Sequence, residues 1–137
     1  MAVHRVVKDG VESDPYEGNL AAAKSFCLGR LAEKRWEVEQ GGCLFNGVRL
    51  QTDDRAKVML AGAHARAVAD PSFATSWSLG PGVFVTMDAA ALAAAFAAVT
   101  TFIGACFDRQ AVLAAAIQAA ETNDAAYDVD IHSGWPE

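Results

Sequence analysis

Three polar residues near the end of the chain have types and spacing that could hold a metal ion. Asp128, Asp130 and His132 alternate with Val129 and Ile131, so on an extended strand all three would lie on one face. Carboxylate and imidazole groups are common metal ligands. The alternation is also that of a strand whose apolar residues face the protein and whose polar residues face water. Because no further cysteine or histidine lies at a ligand spacing, we favour this second interpretation and predict no metal site.

The other groups with chemical potential are also explained without a reaction. Asp53 and Asp54 could act as paired carboxylates in acid–base catalysis, but acidic residues in the first turn of a helix stabilise that helix. No serine or cysteine lies in a recognisable nucleophile motif. Gly80-Pro81-Gly82 lacks the lysine of a phosphate-binding loop. We therefore expect no catalytic residue, no cofactor and no enzymatic activity.

The composition is that of a small acidic protein. The chain has 137 residues and a formal net charge of −6, and its isoelectric point is near 4.9. Such a surface repels nucleic acid and anionic membranes, so we expect no nucleic-acid binding. The longest apolar stretch, Ala89–Ala98, is too short to span a bilayer, and we expect no membrane insertion. The three cysteines include no CxxC pair, which is typical of reduced thiols, with Cys27 and Cys106 as small core residues.

Local signals predict two helices and a β-hairpin in the first half of the chain. Asp14-Pro15 has the form of a helix start, and Gly41-Gly42 ends that helix. Asn46-Gly47 between apolar residues predicts a tight hairpin turn. Thr52 then caps a middle helix, which closes at Asp70-Pro71.

The second half of the chain predicts another hairpin and one long helix. Thr75–Leu79 and Val83–Val85 are the expected strands, on either side of a Gly-Pro-Gly turn. Thr86 caps a helix that runs from about Met87 to Glu121. The predicted fold class is therefore α+β, with an N-terminal helix, antiparallel hairpins flanking a middle helix, and a long C-terminal helix.

No linker or internal repeat divides the chain. We predict an N-terminal arm or short hairpin over residues 1–15 and a single domain over residues 16–137. The acidic tail after residue 121 has little helical periodicity. Trp135 is interpreted as an anchor for this tail, because an indole would contribute little to a free terminus.

The long helix carries a heptad stripe of apolar residues beside a second apolar edge at Phe102 and Phe107. Its spacing of four and three residues is that of a helix packing lengthwise against other helices. The covering helices could belong to the same chain or to other copies in a parallel bundle. We favour a homo-oligomer, with a trimer as the favoured state. The predicted oligomer or packing seam is Leu92, Phe96, Val99, Ile103, Cys106, Gln110, Leu113 and Ile117.

Four blocks of the sequence resemble a known family. The blocks are Phe45–Arg55 (FNGVRLQTDDR), Gly82–Thr86 (GVFVT) after Trp77, Ala105–Arg109 (ACFDR) and Gly134–Pro136 (GWP). Together they resemble a domain of unknown function found in tailed-phage and prophage proteins, often encoded beside tail-fibre genes. The chain departs from the family pattern at Ala56-Lys57, in place of Ser-Gln, and at Gln110, in place of Glu.

The resemblance implies a role in the tail region and implies no reaction. We expect a phage or prophage tail structural protein, a subunit of the baseplate or tail-fibre region that acts by protein–protein assembly. The alternative is a tail-fibre assembly chaperone that is absent from the mature particle. Expected partners are other tail or fibre proteins and further copies of the chain. The expected location is the virion tail, after synthesis in the bacterial host cytoplasm.

Overall fold

The computed structural model describes residues 6–8 and 11–137. Over these residues the fold is α+β, which confirms the predicted class. An N-terminal helix, hairpins on both sides of a middle helix and a long C-terminal helix follow one another as the sequence predicts. The elements are β1 (Val6–Lys8), β2 (Val11–Ser13), α1 (Leu20–Glu39), β3 (Cys43–Phe45), β4 (Val48–Leu50), α2 (Asp54–Ala69), β5 (Ala74–Gly80), β6 (Val83–Asp88), α3 (Ala89–Ala119) and α4 (Asn123–Tyr127).

The strands form three separate antiparallel pairs, β1–β2, β3–β4 and β5–β6. In the first pair Val7 lies opposite Glu12; the part of the predicted arm at residues 1–5, 9 and 10 lies outside the described residues. The second pair turns at Asn46 (φ 50°) and Gly47 (φ 78°), as the Asn-Gly signal predicts. The third pair contains an irregularity between Ser78 and Gly80.

The described chain divides into two compact units. The first takes in the chain up to Trp36 together with Phe107–Trp135, and the second takes in Glu37–Cys106 with the last two residues. The divisions fall inside α1 and α3 and not in a loop. The assignment of residues 16–137 to a single domain stays a prediction.

The core of the first unit is formed by α1, α3 and α4. Leu31, Ile117 and Tyr127 are fully buried in it. The Tyr127 hydroxyl donates a hydrogen bond to the carboxylate of Asp14. The side chain of Asn123 donates to the same carboxylate at 2.8 Å. These bonds attach the segment before α1 to α4, an element that the sequence analysis did not predict.

The core of the second unit joins α2 and α3 to the hairpins β3–β4 and β5–β6. Leu92 and Cys106 of α3 and Cys43 of β3 are fully buried there, and Leu60 of α2 and Met87 of β6 are buried beside them. Each of these elements is short or amphipathic, so none could bury its apolar side chains without the others.

The predicted start of α1 was wrong. Asp14 does not begin the helix but closes a turn, in which its carboxylate accepts the backbone N–H of Tyr16 at 2.8 Å. The helix begins at Leu20, and the side chain of Asn19 accepts the N–H of Ala22 at 3.0 Å. Asn19 therefore satisfies one of the donors that the first turn of a helix leaves without an intrahelical partner.

The predicted caps of α2 and α3 were also wrong, because in each case a later aspartate caps the helix. The α2 cap is Asp53, whose carboxylate accepts the N–H of Ala56 at 2.7 Å. At the start of α3, the carboxylate of Asp88 accepts the N–H of Ala91 at 2.8 Å. Thr86, the expected cap, is paired with β5 and lies inside β6, so strand pairing delays the start of the helix.

Thr52 has a different role, because it is fully buried and links the end of α1 to the hairpin β3–β4. Its hydroxyl accepts the backbone N–H of Gly42 at 2.8 Å and donates to the carbonyl of Glu39 at 2.6 Å. Gly42 lies at φ +94°, where an added Cβ would be 3.0 Å from the Leu50 carbonyl oxygen. One buried hydroxyl thus satisfies two backbone groups at a turn that only glycine fits.

We predict that Thr52→Val destabilises the protein by about 1–3 kcal/mol, because it keeps the side-chain shape but leaves two backbone groups without their partner. Urea unfolding followed by circular dichroism measures the change. Thr52→Ser is the control, since it retains the hydroxyl and loses only a methyl group, at about 1 kcal/mol. Equal stability of Thr52→Val and the unmodified protein would contradict the role assigned to the hydroxyl.

Candidate interaction surface

Most of the predicted seam of α3 is buried within the chain itself. Leu92, Val99, Cys106, Leu113 and Ile117 are buried, and they belong to the cores of the two units. The three remaining seam residues, Phe96, Ile103 and Gln110, are only partly buried. Another copy of the chain could therefore meet α3 only through its other faces.

The buried stripe of α3 passes through Ala95 and Phe102, one position before the predicted Phe96 and Ile103. Phe96 instead stacks on the ring of His64 of α2, with 4.4 Å between the ring centroids. The sequence analysis placed Phe102 and Phe107 on a second edge. Of this pair, Phe102 is buried, and Phe107 is half exposed with the Arg35 guanidinium 4.5 Å above its ring.

Trp135 is the last residue of the chain that belongs to the first unit. The indole is partly buried against the core of that unit, and its N–H donates to the carbonyl of Ile131 at 2.8 Å. Nearby, Arg109 of α3 donates to the carbonyl of Ser133 at 3.1 Å. Gly134 has φ +80°, and a Cβ there would lie 2.6 Å from a guanidinium nitrogen of Arg109. The tail is thus held by an indole, an arginine and a glycine that permits the close approach.

The segment Asp128–His132 does not form the extended strand on which the metal-site hypothesis depends. Asp128 lies at the end of α4 in a helical conformation, and the carboxylate of Asp130 accepts the His132 backbone N–H at 2.8 Å and the Ser133 hydroxyl at 2.6 Å. Ile131 is buried, whereas the three polar residues are exposed. No group of three or more His, Cys, Asp or Glu side chains within residues 6–8 and 11–137 is placed to hold a metal ion.

The acidic pair and the thiols have local structural roles. Asp53 caps α2, and the carboxylate of Asp54 accepts a hydrogen bond from the side chain of Gln40 at 2.8 Å, which lowers the pKa of Asp54. Cys27, Cys43 and Cys106 are buried and form no disulfide, as expected for Cys27 and Cys106. Burial raises the pKa of Cys27 and of Cys43, so these two groups are protonated at neutral pH and are poor nucleophiles.

Strand β6 exposes a row of apolar side chains. Val83 is 54% exposed, Phe84 64% and Val85 38%. One edge of the strand pairs with β5, and among the described residues no strand pairs with the other edge. An apolar strand with an open edge is a template for pairing with another chain. β6 and its open edge are therefore the candidate interaction surface.

The sequence analysis missed this surface, although two signals point to it. Val83-Phe84-Val85 lacks the alternation expected of a strand with one face in water. No charged residue lies between Asp70 and Asp88, so Asp88, at the end of β6, is the only charged residue of the hairpin, whereas exposed edges are commonly protected by charges.

An uncharged groove adjoins the hairpin in the second unit. Its volume is about 390 Å³, and its apolar lining comes from α2, β5 and β6 with the residue before β5. Phe84 lies both in this lining and in the exposed row of β6. The apolar residues of the lining are Ala56, Met59, Ala63, Phe73, Trp77 and Phe84.

One helix within the described residues, α3, has the length and composition of a segment that could cross a membrane. An 18-residue window in Ala89–Ala119 has a mean hydropathy of 2.0, and 28% of that window is buried. A helix at the centre of a protein core meets the same two criteria. α3 contributes buried residues to the cores of both units, so the criteria alone do not assign it to a membrane.

We predict that Gly134→Ala destabilises the protein more than Gly18→Ala does. Both glycines have φ near +80°, but nothing lies within 4 Å of a Cβ at Gly18. The strained backbone costs about 1–2 kcal/mol at either position, and the contact with Arg109 adds about 1–3 kcal/mol at Gly134 alone. Thermal or urea unfolding measures both. In an Arg109→Ala background the difference should disappear; equal costs in the unmodified background would contradict the contact.

We also predict that Ser133→Ala raises the pKa of Asp130. The Ser133 hydroxyl, followed by the His132 backbone N–H, lowers this pKa in the folded protein. Asp130 therefore stabilises the fold above its unfolded pKa, and this contribution is lost as the pH falls through the folded value. A carboxyl NMR titration measures the change. Asp70, whose pKa is lowered by Ser72, is the internal control and should not move; an unchanged Asp130 would contradict the assignment.

Comparison with known proteins identifies a family for most of the chain. The sequence model of a family described as a domain of unknown function, DUF4376, matches residues 22–132. No curated protein and no solved structure matches the chain.

Proposed function

The chain belongs to the family of a domain of unknown function, DUF4376, and we propose that it is a structural protein of a phage or prophage tail. It would be a subunit of the baseplate or tail-fibre region. Its role would be assembly, through contacts with other tail or fibre proteins and with further copies of itself. It would carry out no reaction.

The exposed apolar surface of β6 is the observation that supports an assembly role. Large apolar side chains are exposed at three consecutive positions of β6, Val83, Phe84 and Val85. Phe84, on the face opposite to Val83 and Val85, also lines the adjoining groove, which no charged residue lines. Contiguous apolar patches on a protein surface mark sites of interaction. On a chain with a net charge of −6, an uncharged apolar surface is the part that another protein could cover at the least desolvation cost.

The residues on which the resemblance rests support the same conclusion, because they build the fold. Asn46 and Gly47 form the turn of β3–β4, and Thr52 satisfies two backbone groups beside it. Gly134 permits the close approach of Arg109 to the tail. A shared architecture therefore accounts for these blocks without a shared reaction. The tail location itself rests on the resemblance to proteins encoded beside tail-fibre genes.

Mass spectrometry of purified particles tests the proposal. We expect the chain in particles of the phage or induced prophage that encodes it, at a fixed copy number relative to the major tail protein, because a structural subunit occupies defined sites. A gradient-purified tailless preparation is the control and should lack the chain.

Absence from particles, combined with abundance in the lysate of infected cells, would contradict the structural role. It would favour the alternative, a tail-fibre assembly chaperone, which would expose an apolar surface for binding nascent fibre. A pull-down of fibre protein from that lysate would then be the next measurement.

A further inference from the structure

The open edge of β6 lacks the features by which proteins usually prevent an edge strand from pairing. Edge strands are commonly protected by charged side chains, by proline or by a bulge. β6 contains no proline, and its only charged residue is Asp88 at its end, beyond the apolar row Val83–Val85. The irregularity of this hairpin lies in β5, between Ser78 and Gly80, and leaves β6 regular.

The charge distribution favours a second copy of the chain as the occupant of this edge. Two molecules that each carry a net charge of −6 repel each other over most approaches. The segment from Pro71 to Met87 has no charged residue, so two copies that meet through it bring no like charges together. This segment includes all of β5 and all of β6 except Asp88.

We propose that two copies of the chain pair through β6, antiparallel and about a two-fold axis, to form a four-stranded sheet with the order β5-β6-β6-β5. In an antiparallel pair, residues directly opposite each other share a face of the sheet. An axis at Val85 uses the strand from Val83 to Met87 completely. It places Val85 opposite Val85 of the second copy, and Phe84 opposite Thr86 of the second copy.

This pairing gives partners to the backbone groups and the exposed side chains of β6. The free backbone groups of β6 gain partners, and aromatic and β-branched side chains meet across the strands, as is favourable in sheets. Because the contact is isologous, it closes at two copies and builds no filament. The β6–β6 contact by itself gives a dimer and not the trimer expected from the seam of α3. Most of that seam is buried in the cores of the chain itself.

This dimer rests on the proposed function, because it assigns a surface to the self-association proposed there. The dimer and the tail role are tested by separate experiments. The dimer is measured on purified protein, whereas the tail role is measured on particles, so either can fail alone. The five paired residues of each strand span about 17 Å, so the interface is small, and we expect a dissociation constant on the order of micromolar.

Analytical ultracentrifugation of the full chain between about 1 and 200 µM tests the proposal. We expect a monomer–dimer equilibrium, and we expect Val85→Lys to weaken the dimer at least about tenfold, because it places two ammonium groups opposite each other across the axis. Val58→Lys is the matched control. This substitution adds the same charge at a valine of α2 that is 72% exposed. The Val58→Lys variant should dimerise as the unmodified chain does.

Hydrogen exchange of the unmodified chain gives a second readout that does not depend on a variant folding. Amides of β6 should exchange more slowly at 200 µM than at 1 µM, while those of β3–β4 should not change. A chain that stays monomeric over the whole concentration range would overturn the proposal. The open edge of β6 would then be available to pair with a strand of another protein. A dimer that Val85→Lys and Val58→Lys affect equally, or one without protection of β6, would overturn it as well.

Discussion

The fold depends on one face of α3. Buried residues from this helix contribute to the core of each unit: Leu92 and Val99 to one, Leu113 and Ile117 to the other. The helix has 31 residues and is about 46 Å long. α1, α2, α4 and the hairpins β3–β4 and β5–β6 are shorter, and each contributes buried residues to one of these cores. Among the described residues, α3 therefore supplies half of the buried leucine, isoleucine and valine side chains, four of eight.

Because this face of α3 is covered internally, the surface available for assembly lies elsewhere. α3 exposes mainly alanine, threonine and glycine on its other faces, whereas β6 exposes Val83, Phe84 and Val85. The two elements differ in backbone hydrogen bonding as well as in the side chains that they expose. A helix has satisfied its backbone within itself, but a strand at the edge of a two-stranded sheet still presents free backbone groups to a partner.

The helix boundaries show that local sequence signals predict a helix start to within a few residues but do not identify the residue that caps it. Asp14 and Thr86 both have the chemistry of a cap, and each is followed closely by the residue that caps the helix, Asn19 or Asp88. Thr86 does not cap α3 because β6 continues two residues beyond it, to Asp88. Asp14 does not cap α1, and its carboxylate instead accepts a hydrogen bond from Tyr127. Capping preferences are worth about 1 kcal/mol, so longer-range contacts of similar size decide between neighbouring candidates.

The sequence by itself determined the types and order of the main elements, because turn chemistry and apolar periodicity are properties of neighbouring residues. The Asn46-Gly47 hairpin and the long final helix follow from such signals. Only the tertiary structure decided which stripe of that helix is buried. Ala95 and Phe102 are buried, whereas Phe96 and Ile103 are only partly buried, because the elements packed against α3 determine which of its faces is covered. The sequence also shows that β6 is apolar and almost uncharged, but only the structure shows that one of its edges is open, because this depends on which strands pair.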